Sequence, residues 1–270
     1  MDFKRLLVVI DPTREEQPAL DRARVIARQL GSQIHLYACI HEDVAAVRQF
    51  GAGRGEALDA CHAWMESLAR PLREAGLDVA VELEWDPDWY QGCVRASQHY
   101  RADVVLKSSF SRPLHQRVLK RTSDWTLIRQ CKCAVLLVKD GGAINPRAVL
   151  AAVDLSATEG SRAQANEKIL RFARQLIESE SADVHFVSAY RDLSQAPDRH
   201  RLVRDWGVDL EHIHVRMGDP DDVIVDMAEQ LKVGLLVIGN AGRSGLAAAI
   251  NNNTVERVLD KLDCDLLAVS

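Results

Sequence analysis

The chain has 270 residues, 47% of them apolar and 27% charged, and a formal net charge of −5. Its length suits about two globular domains of ordinary composition, and its mild negative charge excludes a general nucleic-acid binder, which is basic over a whole face. The apolar run near the start ends at Asp11, too short for a secretory leader, and no stretch approaches the roughly 18–20 apolar residues of a membrane span; a cytoplasmic location without a membrane partner is expected.

In chain order, the first half predicts strands at 5–11, 33–40, 78–85, 103–108 and 134–139. Helices are predicted between them at 18–30, 57–76, 89–100 and 114–130. Leu58, Cys61, Met65, Leu68 and Leu72 recur at three- and four-residue spacing, one face of a helix that Gly76 ends. The linker Gly141-Gly142-Ala143-Ile144-Asn145-Pro146 follows. The second half predicts strands at 148–154, 183–190, 211–217, 234–239 and 265–269, and helices at 160–179, 221–232 and 254–262. Between Asp192 and Asp209 there is room for one short helix.

The two halves echo each other in order. Leu6–Asp11 matches Val149–Asp154, Gln33–Ala38 matches Asp183–Ser188, Trp85-Asp86-Pro87 matches Gly218-Asp219-Pro220, and Cys133–Val138 matches Cys264–Val269. The offset is 143 at Asp11/Asp154, 150 at His35/His185 and 133 at Asp86/Asp219. The connection between second and third strands is therefore about seventeen residues shorter in the second copy (150 − 133). Alternating strands and helices imply parallel pairing with helices on both faces, and near-continuous apolar strands agree. The expected fold class is α/β, with two tandem doubly wound parallel-sheet domains at 1–140 and 147–270. The short linker and the duplication suggest that they pack as an intrachain pseudo-dimer.

In such sheets a ligand lies beyond the carboxyl ends of the strands, where the strand order reverses. In the second copy Asp154 ends the first strand, and Gly239-Asn240-Ala241-Gly242-Arg243-Ser244-Gly245 follows the fourth. Asn252-Asn253-Thr254 open the last helix. Glycines let a backbone approach phosphate, and a helix N-terminus offers unpaired amides.

Gly239-x2-Gly242, nine residues, then a small polar pair before a helix is similar to the nucleotide-binding motif of the universal stress protein family. Met217-Gly218-Asp219-Pro220 and Cys264-Asp265-Leu266-Leu267 resemble that family's wording, and Asp11 and Asp154 match the aspartate ending its first strand. The resemblance spans the chain in two copies. It is nearest the tandem E subtype, to which Asp124-Trp125 and Asn253-Thr254 are similar. It implies a Rossmann-like fold, a cytoplasmic stress-response role without general catalysis, and ATP or another small-molecule ligand in the second domain. It also implies pairing through the last strand of each sheet, within the chain or as a homodimer. Carried over residue by residue, the site is Asp154 and Ala189 toward ribose and adenine, Ile238 and Gly239 along base and ribose, and Gly242, Asn252, Asn253 and Thr254 toward phosphates. Asn252 stands where the motif has its third glycine, so weak affinity is expected. In the first copy Lys107-Ser108-Ser109-Phe110 replaces the glycine loop, and no nucleotide is expected there.

Other readings stay open beside this one. The second domain could be a ligand-independent protein-interaction module. Asp11, Asp86 and Lys139 at strand ends loosely fit a phospho-accepting receiver, but the second copy ends at Ser270 without the lysine. A nucleotide hydrolase would need a Ser-Gly-Gly-type loop that neither first strand provides. No catalytic residue is assigned. His212 and His214 share a strand face, yet the sequence shows no third ligand and no metal is assigned. His35 and His185 read as inherited packing residues. Trp85, Trp89 and Trp125 read as core or interface rather than a ligand wall. Lys107, Arg112, Arg117, Lys120 and Arg121 read as a solvated helix face. The six cysteines read as thiols, Cys131 the more exposed of the close pair.

Overall fold

The computed structural model describes residues 3–43, 53–110, 117–139, 147–178, 182–240 and 253–269. It divides into two compact units, Asp2–Asp140 and Gly141–Ser270.

In the first unit the elements run β1 (Arg5–Val9), α1 (Pro18–Leu30), β2 (Gln33–Ile40), α2 (Arg54–Glu74), β3 (Val79–Trp85), α3 (Trp89–His99), β4 (Val104–Ser109), α4 (Arg117–Gln130) and β5 (Ala134–Lys139). The strands pair in parallel in the order β3-β2-β1-β4-β5. The order reverses between β1 and β4, which opens a crevice at their carboxyl ends. Leu6, Leu7 and Val8 of β1 are fully buried, as a strand covered on both faces requires. On α2, Ala57, Cys61, Met65, Ala69 and Leu72 form the buried stripe. Leu58 and Leu68 of the predicted stripe are less buried than these, and Ala57 and Ala69 take the closest packing positions. The helix stops ahead of Gly76, whose φ of 82° lies in the left-handed region that costs glycine least.

The second unit runs β6 (Ala148–Ala152), α5 (Gly160–Glu178), β7 (Asp183–Tyr190), a 3₁₀ turn at Leu193–Gln195, α6 (His200–Trp206), a 3₁₀ turn at Leu210–His212, β8 (Ile213–Met217), α7 (Pro220–Gln230), β9 (Leu235–Gly239), α8 (Asn253–Lys261) and β10 (Asp265–Val269). Its strands are also parallel, in the order β8-β7-β6-β9-β10, with the reversal between β6 and β9. The short α6 occupies the shortened connection. The strand expected from 211 begins at Ile213, because Leu210–His212 closes a 3₁₀ turn first.

Three expectations about side chains change. Cys131 is fully buried while Cys133 is partly exposed, because Cys131 follows directly on α4 and packs inward beside Ser97 of α3. Trp85, Trp89 and Trp125 are all half-buried rather than core. Lys107 does not belong to a solvated face: its side chain is 17% exposed and paired with Asp124 at 2.7 Å. Arg112 and the side chains of Arg117, Lys120 and Arg121 lie outside the described residues.

Candidate functional site

Asp154 sits two residues past β6. Its carboxylate Oδ1 accepts the backbone N–H and hydroxyl of Ser156 at 3.1 and 2.5 Å, and its Oδ2 faces Arg162 at 3.2 Å. Its own backbone is held from both sides by one amide: its N–H donates to Asn166 Oδ1 at 2.9 Å, and Asn166 Nδ2 donates to its carbonyl at 2.6 Å. Asp11 repeats the arrangement. It accepts from Thr13 at 2.9 and 2.6 Å, and Gln17 grips its N–H at 3.1 Å and its carbonyl at 2.8 Å. Each aspartate therefore closes an Asx-type turn, clamped by Gln17 at the N-cap of α1 in one domain and by Asn166 within α5 in the other. Gln17 and Asn166 were not singled out in the sequence, since an amide at or near the start of a helix carries no distinctive spacing.

The register sets Ala152 beside both Val187 and Ile238. Asp154, Ala189, Ile238 and Gly239 consequently lie together at the carboxyl ends of β6, β7 and β9. Ala189 is half-buried there. Ile238 is a buried core residue, so what it offers a ligand is main chain. A Cβ added at Gly239 would stand 2.9 Å from the Ala165 methyl and 3.5 Å from Ile169. The close approach of α5 to β9 is by itself enough to require glycine here. Asn253 begins α8 and Thr254 is half-buried in its first turn. Gly242 and Asn252 lie outside the described residues.

A cavity of about 230 Å³ opens beside Asp154, between α5 and α6. Asn166, Glu167, Arg201, Leu202 and Trp206 line it with Val153 and Leu155. Arg201 is placed by the Leu155 carbonyl at 3.3 Å. An aromatic ring, a guanidinium and a carboxylate suit a polar ring system. The volume lies below the roughly 300–1,000 Å³ of common ligand pockets, room for part of a nucleotide. The sequence hid this cavity because Arg201 and Trp206 lie on the short α6, which stands where the first copy carries the much longer α2, and nothing in their spacing marks them as facing Asp154.

The positions equivalent to Ile238 and Gly239 are engaged by side chains in the first domain. Lys107, which pairs with Val9 as Ile238 pairs with Ala152, reaches Asp124 at 2.7 Å and lies 5.6 Å from the centre of the Trp89 ring. Ser109 Oγ donates to the other oxygen of Asp124 at 3.0 Å. Ser108, at the position of Gly239, accepts the Ala19 N–H of α1 at 3.0 Å. A cation already neutralised by its own carboxylate leaves little field for a phosphate.

Two doubly wound α/β domains in tandem, with a polar cavity beside the first strand of one copy and an ion pair at the end of the fourth strand of the other, define a duplicated α/β fold. The model of the universal stress protein family matches residues 2–139 and 145–270, and the chain belongs to that family. It is 30% identical over 296 residues to universal stress protein E of Salmonella typhi, covering 99% of this chain and 94% of that protein. The E homolog of Haemophilus influenzae is 28% identical over 302 residues, covering 100% and 98%. Among solved structures, a functionally unknown protein of Pseudomonas aeruginosa PAO1 superposes with a TM-score of 0.81 at 26% identity, covering 99% and 92%. A universal stress protein of Archaeoglobus fulgidus superposes at 0.73 with 15% identity, covering 98% and 96%, a likeness of fold alone.

Proposed function

We propose that the protein is a stress-response binding protein whose second domain takes an adenine nucleotide weakly at the carboxyl ends of β6, β7 and β9, without turning it over. The observation that carries this reading is the cavity beside Asp154 in the second domain; in the first domain the position equivalent to Ile238 is taken by Lys107, paired with Asp124. Low affinity follows from chemistry on both sides of the ligand. A ribose hydroxyl must compete with Arg162 and Ser156 for Asp154, and Asn252 places a side chain where the family's motif has glycine. Phosphoryl transfer depends on positioned groups and charge neutralisation around the phosphates, and the residues assigned here supply neither a base nor a pair of carboxylates for a metal. A cytoplasmic site of action belongs to the same proposal and rests on the family.

Calorimetric titration of ATP into wild type, Gly242→Val, Asn252→Gly and Lys107→Gly tests the site. Gly242→Val is expected to abolish binding, Asn252→Gly to strengthen it, and Lys107→Gly to leave it nearly unchanged. Phosphate release should stay well below the roughly 1 per second of a typical slow enzyme. Binding that survives Gly242→Val and is lost on a first-domain change would move the site to the other domain. The engagement of both Asp154 oxygens by protein partners favours a second reading, a ligand-independent interaction module, and an absence of binding in every variant would select it.

A further inference from the structure

A group of side chains away from the Asp154 crevice is organised as a ligand set. Asp183 and His185 lie on one face of β7 by the two-residue period of a strand. The register Phe186↔Ile213 and Val187↔His214 puts His214 on the same face of β8, with His212 in the 3₁₀ turn directly before that strand. His212 Nε2 lies 3.1 Å from Asp183 Oδ1, and His185 Nε2 lies 3.3 Å from Asp183 Oδ2. One ligating atom from each of Asp183, His185 and His212 falls within 4.8 Å of the others. Behind them, His214 Nε2 meets His185 Nδ1 at 3.2 Å.

The two separations from Asp183 are close to those between neighbouring ligand atoms on one metal ion. Tetrahedral zinc–nitrogen and zinc–oxygen bonds of about 2.0–2.2 Å place neighbouring ligand atoms about 3.4 Å apart. We infer that Asp183, His185 and His212 form a binding site for one divalent transition-metal ion of the zinc or nickel class. Two imidazoles with a single carboxylate suit these ions, whereas calcium and magnesium take shells of oxygen. His185 binds through Nε2, so its Nδ1 carries the proton and donates to His214 Nε2. His214 is then the residue that fixes the tautomer and orientation of the ligand. The side chains of His185 and His212 are 15% and 28% exposed and that of Asp183 is 59% exposed. The imidazoles are therefore held by the fold while the carboxylate side stays open to water and to the entering ion.

The set was assembled in one copy only. Gln33, His35, Ala80 and Glu82 stand at the positions of Asp183, His185, His212 and His214, by the registers Tyr37↔Glu82 and Val187↔His214. There His35 is spent on Glu82 at 2.7 Å and Gln33 on Asp78 at 2.7 Å. The site also lies at the amino end of β7, whereas Asp154 follows the carboxyl end of β6, so the two sites are separate in the same domain.

The test is calorimetric titration of Zn²⁺ and Ni²⁺ into the full folded chain with its accessible thiols, Cys133 and Cys264, alkylated, so that they cannot supply ligands. One ion per chain is expected, with affinity at least tenfold weaker in Asp183→Asn and in His212→Asn. His214→Gln is expected to weaken it about tenfold, the scale of an outer-shell loss. The double change Asp209→Asn with Glu211→Gln, which removes the neighbouring carboxylates of His212, should leave it unchanged. A second measurement needs no variant: substoichiometric Ni²⁺ should broaden the imidazole proton signals of His185 and His212 and spare His35. Absence of saturable binding, undiminished affinity in Asp183→Asn, loss only in the Asp209/Glu211 double variant, or broadening centred on another histidine would each overturn the inference.

Discussion

Asn166 and Gln17 each hold the main chain of an aspartate with both ends of one amide, and Gln17 is only 7% exposed. Truncating such a clamp strands a backbone N–H and a carbonyl, at a cost of about 1–3 kcal/mol. Asn166→Ala is therefore expected to lower stability by that amount in urea unfolding. A loss below about 0.5 kcal/mol would mean that water replaces the amide without penalty. The thiols sort by environment in the same way. Burial, followed by the nearby Glu84 carboxylate, pushes the Cys39 thiol up to about 11, and burial pushes the fully enclosed Cys93 higher still. Since the thiolate is the nucleophile, iodoacetamide at pH 8 should label Cys133 and Cys264 before Cys39, Cys61, Cys93 and Cys131. Peptide mass spectrometry over a time course checks the order, and early labelling of Cys93 would contradict it.

One edge strand of each sheet, β3 and β8, is half-buried and carries charge or imidazole: Glu82 and Glu84 on one, His214 and Arg216 on the other. Such edges discourage pairing with another sheet. β3 is further tied to its neighbours. Tyr37 of β2 donates to Glu84 at 2.5 Å, while Arg95 of α3 bonds both Glu84 and Asp86. Gly92 permits this, since a Cβ there would collide with the Tyr37 hydroxyl. The Asp88 N–H, then Arg95, hold Asp86 below the usual carboxylate range. A depressed folded pKa contributes stability that is present above the unfolded value near 3.8 and is lost as pH falls through the folded value. Wild type should thus exceed Asp86→Asn in stability at pH 7, and the gap should close toward pH 2. A gap independent of pH would show that the carboxylate's charge is irrelevant to the tether.

Each sheet ends on an apolar strand, Ala134–Lys139 in one domain and Asp265–Val269 in the other. An exposed edge of that composition invites association, and the linker between the domains is short. The two halves are expected to need each other as a pseudo-dimer. Expressed separately, 1–140 and 147–270 should be less stable than the full chain and should self-associate in analytical ultracentrifugation. Halves that remain monomeric and as stable as the whole would refute it. Among the described residues no helix is long and apolar enough to cross a membrane.

The repeat, the alternation of strands and helices and the parallel pairing were determined by the sequence, because doubly covered strands must be apolar throughout and Leu6–Val9 or Leu266–Val269 could be little else. Asp154 and Gly239 were equally legible, as short-range features of strand ends. What only the tertiary structure decided are contacts between residues distant along the chain. The cavity joins Asp154 to Arg201 and Trp206 across the shortened connection. The Lys107–Asp124 pair turns an apparent surface cation into a mostly buried ion pair. Asp183 and His185 come to His212 only through the β7–β8 register. Periodicity along one segment specifies which face a side chain takes; which residue of another strand lies opposite is fixed by register, and register is a property of the packed sheet.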